Sequence, residues 1–249
     1  MILRKSLGQH FLKDEEVSRK ILSALEEYHF KRLLEVGAGG GALTKYLLKI
    51  PGVELKAVEV DLEKFDYLLS TYPGLKGRLI HADFLSMDKP FDDRFTIVGN
   101  FPYNISSQII FRAVEWKEHV ECMIGMFQKE VAQRIAAPEG NKVYGVISVL
   151  VQAFYEVEYL FEVPQTAFIP PPKVRSAVIR LMPRKNIPAM RNEKDLFLLV
   201  KTAFNQRRKT LRNAVRGLFD ESYLKKEIFN KRAEQLGVGD FAALTFEMK

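Results

Sequence analysis

The chain has 249 residues, 47% of them hydrophobic and 28% charged, with a net charge of +7 and a single cysteine, Cys122. That length and apolar content predict a full core in one large domain plus a small one, and the charged fraction argues against a disordered chain. One cysteine excludes an internal disulfide, and His10, His29, His81 and His119 lack ligand spacing, so no metal site is expected. No apolar run approaches a membrane span and Met1–Leu12 lacks an apolar signal core, which predicts a cytoplasmic protein with no membrane association.

From Lys31 to about Met182, short runs rich in Val, Ile, Leu and Phe alternate with helical patterns, which predicts a mostly parallel sheet with helices on both faces. The first strand, Arg32–Val36, runs into Gly37-Ala38-Gly39-Gly40-Gly41 and a helix over Leu43–Leu48. Glycines at such a junction let the backbone turn sharply and let a ligand approach where a Cβ would clash. The second strand, Val53–Val60, ends with Glu59, 22 residues after Gly37, where a carboxylate can take the hydroxyls of a ribose. Alone, this pattern indicates a nucleoside without choosing the cofactor, since Gly37-x-Gly39-x-x-Ala42 satisfies a loose dinucleotide pattern too.

A helix over Leu62–Leu69 leads to the third strand, Arg78–Ala82, and then to Asp83 at the edge where ligands of such sheets bind. A carboxylate there can accept from the exocyclic amine of an adenine ring; as a plain loop residue it would cap a turn. The fourth strand, Phe95–Gly99, delivers Asn100-Phe101-Pro102-Tyr103. The N6 lone pair of adenine is delocalised into its ring and is a poor nucleophile. The Asn100 side-chain oxygen and the Pro102 carbonyl can accept both N6 hydrogens and stabilise positive charge developing on that nitrogen. Tyr103 offers a face on which the base can stack. Such chemistry calls for an activated methyl donor and no strong base.

Next come a helix over Ile105–Trp116 and a strand over Val120–Phe127, where Cys122 reads as a buried small hydrophobe rather than a nucleophile. Runs near Phe154–Phe161 and Ser176–Leu181 can pair as an antiparallel edge, which makes seven strands in all. Between them the prolines of Pro164–Pro172 stiffen a loop around Phe168, as either a stacking platform or a core aromatic. The composition changes at Pro183–Pro188. Asn192 then reads as a cap with Leu196, Leu199, Val200 and Ala203 at helical spacing behind it, followed by helices over Arg207–Phe219, Glu221–Phe229 and Lys231–Leu236, ended by Gly237. Residues 1–182 hold 23 basic and 23 acidic residues, whereas residues 183–249 hold 15 and 8 and carry the whole net charge. With Arg207, Arg208, Lys209 and Arg212 packed so closely, the small module predicts a polyanion partner.

Together with Ser6-Leu7-Gly8-Gln9-His10-Phe11-Leu12, Phe127–Arg134, Phe168–Ser176 and Phe204–Asn213, these motifs make the chain resemble, almost end to end, the ribosomal RNA adenine N6,N6-dimethyltransferases of the small-subunit type. The resemblance implies an α/β, Rossmann-like methyltransferase domain over residues 1–184 and a small all-helical C-terminal domain over 185–249. It implies S-adenosylmethionine as methyl donor, with S-adenosylhomocysteine as product, held by His10, Leu12, Gly37, Gly39, Glu59, Asp83 and Asn100. It places Asn100, Pro102, Tyr103 and Phe168 at the target base, with Phe168 stacking opposite Tyr103. The implied substrate is a pair of adjacent adenines in a hairpin near the 3′ end of small-subunit rRNA, met by a monomer on the immature small subunit. His10 stands where Asn is more familiar, and Phe101 where Leu is usual. A non-catalytic RNA-binding assembly factor would need neither the tetrad nor the glycine loop, and an NAD-dependent oxidoreductase has no use for the tetrad. A large-subunit rRNA methyltransferase shares these motifs but fits the Phe168 stretch and the basic C-terminus less well.

Overall fold

The computed structural model describes residues 10–249, so Ser6–Gln9 of the N-terminal motif and most of the stretch read as lacking a signal core lie outside them. Strand β1 (Phe11–Leu12) is followed by α1 (Glu15–Glu26), a helix not singled out above. Asp14 sets its start, its carboxylate accepting from the backbone N–H of Glu16 at 2.9 Å and of Val17 at 3.3 Å. Those donors have no partner within a first turn, which is why Asp is favoured there. Val17, Ile21, Ala24 and Leu25 recur at helical spacing and are buried.

Strands and helices then alternate as β2 (Arg32–Val36), α2 (Thr44–Leu47), β3 (Glu54–Glu59), α3 (Leu62–Thr71), β4 (Leu79–His81), β5 (Phe95–Asn100), α4 (Ser106–Glu115) and β6 (Val120–Gln128). After α5 (Lys129–Ala136) and α6 (Val146–Gln152) come β7 (Tyr155–Val163), the short β8 (Phe168–Ile169) and β9 (Ser176–Pro183). Seven strands form one sheet in the order β4-β3-β2-β5-β6-β9-β7, and β1 pairs with β8 separately. Pairings from β4 across to β6 are parallel and β6 with β9 is antiparallel, so the sheet is mostly parallel with its late strands at one edge. This is a Rossmann-like methyltransferase architecture. Strand β2 is buried from Leu33 to Val36 because it has a strand on either side and cover on both faces. The connections change direction between β2 and β5. Loops leaving those two strand ends diverge there, and a ligand crevice opens between them.

The chain divides into two compact units, one of residues through Ala132 plus Glu158–Pro183, the other of Gln133–Val157 plus Arg184–Lys249. Residues 133–157, read above as part of the first domain, thus belong to the helical unit. The cause is apolar. Val149, Leu150 and Val151 of α6 need a covering face, and α7 (Glu193–Asn205) packs on them with Leu196, Leu199, Val200 and Ala203 buried. Asn192 caps α7 through the Asp195 N–H at 2.9 Å.

Beyond α7 the helices are shorter than their patterns suggest: α8 (Leu211–Ala214), α9 (Glu221–Leu224) and α10 (Val238–Leu244), with single 3-10 turns between. Residues 206–209 form a turn, not the start of a helix. Gly237 precedes a helix as well as following one, since its N–H is taken by the Asp240 side chain at 3.0 Å at the head of α10. None of the described helices is long and apolar enough to cross a membrane.

Candidate active site

A cavity of about 410 Å³ opens at the carboxyl ends of β2, β3 and β5. His10, Leu12, Gly37, Gly39, Glu59, Asp83, Asn100, Pro102 and Tyr103, all singled out from the sequence, line it together. The size suits a nucleoside-sized ligand, and the lining mixes apolar walls with a few directed polar groups.

The loop after β2 has the conformation that only glycine takes readily. Gly39 has φ +57°, and its N–H donates to Glu59 Oε2 at 2.9 Å. Gly41 has φ +80°, and a Cβ on it would stand 2.3 Å from the Tyr72 ring. A side chain at either position would push the loop out of the cavity floor. Glu59 is 5% exposed, and its other oxygen accepts from the N–H of Val60 at 3.1 Å and of Asp61 at 3.0 Å. Three backbone donors thus fix this carboxylate in the cavity wall and tie the β3 end to the glycine loop. Asp83 serves both of its readings: it lies on the cavity wall, and its Oδ1 caps a turn through the Leu85 N–H at 2.9 Å.

On the opposite wall, Asn100 ends β5. Its side-chain amide nitrogen donates to the His10 carbonyl at 3.4 Å, which leaves Oδ1 as the end free to accept. The Pro102 carbonyl accepts from the Ile105 N–H at 3.2 Å and keeps a second lone pair. Tyr103 is fixed by a hydroxyl contact with Ser176 at 2.5 Å; burial pushes its pKa up, and that bond partly offsets the rise, so it stays a neutral phenol. Phe101 points away from the cavity centre into the core, 5.1 Å from the Phe127 ring, and Cβ atoms on Gly99 and Gly125 would lie 2.6 and 2.1 Å from it. Two glycines therefore make room for the ring at the tetrad's variable position. The N-terminal segment closes this side: His10 Nδ1 donates to the Pro170 carbonyl at 2.8 Å, and its ring lies 5.7 Å from that of Tyr103.

Phe168 departs from its expected place. It does not line the cavity; it is 1% exposed, packs in the main hydrophobic cluster, and pairs through its backbone with Leu12. A ring so enclosed offers no face for stacking opposite Tyr103. Phe168 anchors β1, and the aromatic beside Tyr103 is His10. The four basic residues lie in the other unit and are exposed, but two are already engaged. Arg207 donates to the carbonyls of Lys142 and Tyr144, and Arg212 to the Leu224 carbonyl at 2.8 Å and Asn230 Oδ1 at 2.9 Å. Arg208 and Lys209 stand exposed beside them.

The sequence reading missed two ionisable groups on the cavity wall. Glu35 is fully enclosed, and burial pushes its pKa up to about 7 against the opposing bond from the Thr44 hydroxyl at 2.6 Å. Within a strand of Leu and Val it read as an ordinary alternation position. Lys64 is the other, hidden as one more charge in a helix. Cys122 is buried as expected, its thiol pKa pushed up to about 12 by burial.

Residues 2–245 match the ribosomal RNA adenine dimethylase family. Similar curated proteins include the ribosomal RNA small subunit methyltransferase A of Cytophaga hutchinsonii, 48% identical over 97% of this chain and 95% of that protein. The protein of the same name from Flavobacterium johnsoniae is also 48% identical, over 97% of this chain and 94% of its own length. Among solved structures, a dimethyladenosine transferase from Plasmodium falciparum superposes with a TM-score of 0.78 at 24% identity, covering 96% of this chain and 97% of that one. The 23S rRNA methyltransferase ErmE does so with a TM-score of 0.71 at 23% identity, covering 94% and 99%. With the glycine loop and the Asn-x-Pro-Tyr tetrad facing one cavity, and with a match over nearly the whole chain, this protein belongs to the ribosomal RNA adenine dimethylase family, whose members draw the methyl group from S-adenosylmethionine.

Proposed function

We propose that this enzyme, an S-adenosylmethionine-dependent rRNA adenine N6,N6-dimethyltransferase, acts on two adjacent adenines in a hairpin loop near the 3′ end of small-subunit (16S) rRNA during ribosome biogenesis. The observation that carries the adenine chemistry is Asn100. Its amide nitrogen is committed to the His10 carbonyl, so its oxygen is the group turned to accept from an incoming amine. The small-subunit assignment is supported by relatives named for that subunit at 48% identity, whereas the likeness to ErmE at 23% concerns the fold alone.

When bound, the donor supplies an electrophilic methyl on a sulfonium. The chain's residues do the rest. Glu59 and the glycine loop hold the ribose, Asp83 meets the adenine edge of the donor, and Leu12 packs against it. Asn100 Oδ1 and the free lone pair of Pro102 O accept the two hydrogens of the target N6. That holds the nitrogen lone pair out of conjugation and stabilises charge as the new bond forms. Tyr103 and His10 flank the base. The proton leaves N6 only after the nitrogen has become cationic, so a weak acceptor suffices. The basic C-terminal segment, 185–249, takes the RNA backbone, and the enzyme meets immature small subunits in the cytoplasm as a monomer.

The test is to methylate naked rRNA and immature small subunits with labelled donor and map the modified nucleotides. Two adjacent N6,N6-dimethyladenines in the small-subunit 3′ hairpin are expected. Label confined to large-subunit rRNA would overturn the assignment.

A further inference from the structure

Lys64 lies on the cavity wall and is only 6% exposed. It sits in the first turn of α3, where the Asp61 cap accepts from its backbone N–H at 3.3 Å. Its ammonium is 5.3 Å from the centre of the Phe11 ring, which also covers the glycine loop: a Cβ on Gly40 would stand 3.2 Å from that ring. Lysines are rarely buried to this degree, and a long stem can normally carry the charge to water. Burial here pushes the Lys64 pKa down, opposed by the carboxylates of Glu59 and Asp61. Such a placement is unfavourable unless the ammonium has work to do in the cavity.

The bonds of Glu59 indicate that work. An ionised carboxylate has about four acceptor sites. Three are already used by the N–H groups of Gly39, Val60 and Asp61. A ribose diol presents two hydroxyls, so Glu59 has room to accept from one of them. The other needs a partner on the same wall, and it has lone pairs to offer. We infer that Lys64 is a cofactor-binding residue: its ammonium donates to the ribose hydroxyl that Glu59 does not take, so that the pair divides the diol between them. This rests on Glu59 marking the ribose end of the site. The charges agree with it, because an ammonium beside a carboxylate is neutral overall and adds little field against a cationic sulfonium donor. The Phe11 ring steadies the ammonium through its π face.

Calorimetric titration with S-adenosylhomocysteine and its 2′-deoxy and 3′-deoxy ribose analogues tests the assignment. The proteins compared are wild type, Lys64→Met, Lys64→Arg and Glu59→Gln, each checked for folding by thermal melting. Methionine keeps an unbranched stem against Phe11 and removes the donor. It should weaken S-adenosylhomocysteine binding about tenfold, the worth of a charge-assisted hydrogen bond, while arginine retains most of the affinity. One deoxy analogue should bind wild type and Lys64→Met equally, and the other should keep the difference. Binding of S-adenosylhomocysteine by Lys64→Met within twofold of wild type, or an equal loss on both analogues, overturns the role. A misplaced ribose would show itself separately, as a Glu59→Gln protein with wild-type affinity for all three ligands.

Discussion

Asn100 works through an amide whose two ends have different tasks. The nitrogen end holds the His10 carbonyl at 3.4 Å, and the oxygen end faces the space where an amine must arrive. Asn100→Ala should therefore abolish most turnover while leaving S-adenosylmethionine affinity within a few-fold, because the lost interaction is made chiefly in the transition state. Single-turnover methylation of rRNA beside calorimetry measures both, and near-normal turnover would remove Asn100 from the chemistry. Glu35 yields a different prediction. Burial raises its pKa from 4.5 to about 7, so between those values the folded protein holds a proton that the unfolded chain has released. Stability must then fall as pH rises through that window, by on the order of 3 kcal/mol from this group. Glu35→Gln has no such titration, and its denaturant-derived stability should decline less between pH 4.5 and 7. Parallel pH profiles for the two proteins would show that Glu35 ionises normally.

At the scale of elements, the site depends on a two-residue strand. Strand β1 has its only strand partner in β8, through Phe11 with Ile169 and Leu12 with Phe168, and the N–H groups of Lys13 and Asp14 both reach the Ala167 carbonyl at 2.9 and 3.3 Å. So short a pairing cannot hold by itself. The buried Phe168 ring anchors it, and through β1 it holds Phe11 over the glycine loop and His10 beside Tyr103. Phe168→Ala should cost about 3–5 kcal/mol, as for large-to-small changes in a core, whereas Phe168→Leu should recover most of that. Melting curves of the two variants read this directly. A Phe168→Ala protein as stable as wild type, with methylation lost, would instead return the ring to the target base.

Across the whole molecule, charge is divided unevenly: residues 1–182 are neutral and 183–249 carry the excess. The basic cluster within that excess is itself divided. Arg207 and Arg212 bind backbone carbonyls inside their own unit, whereas Arg208 and Lys209 extend from an exposed turn. Neutralising Arg208 and Lys209 should weaken RNA binding and lower the slope of log affinity against log salt by roughly 0.7–0.9 per lost phosphate contact. Cofactor affinity and melting temperature should not change. Arg207→Gln with Arg212→Gln should lower the melting temperature, since carbonyls lose charged donors. An unaltered salt slope in the folded Arg208, Lys209 double variant would make this turn a solvated face.

The strand pattern, the glycine loop, the tetrad and the cofactor carboxylate were legible in the amino-acid order because each depends on local rules. Apolar runs between turns make strands of a parallel sheet, and glycine marks the backbone that L side chains avoid. Even Asn192 was readable, since a cap is satisfied within three residues. Distant neighbours were not readable. Phe168 in its proline-rich loop suited a platform as well as a core, and only its pairing with Leu12, far away in sequence, buried it. Residues 133–157 carry the patterning of the first domain's helices, yet the apolar face of α7 drew them into the second unit. Arg207 and Arg212 looked like free charges until the carbonyls facing them were in place. Lys64 and Glu35 were two unremarkable charges in sequence. Folding placed both on the wall of one cavity, where loss of water gives them energies that no local rule assigns.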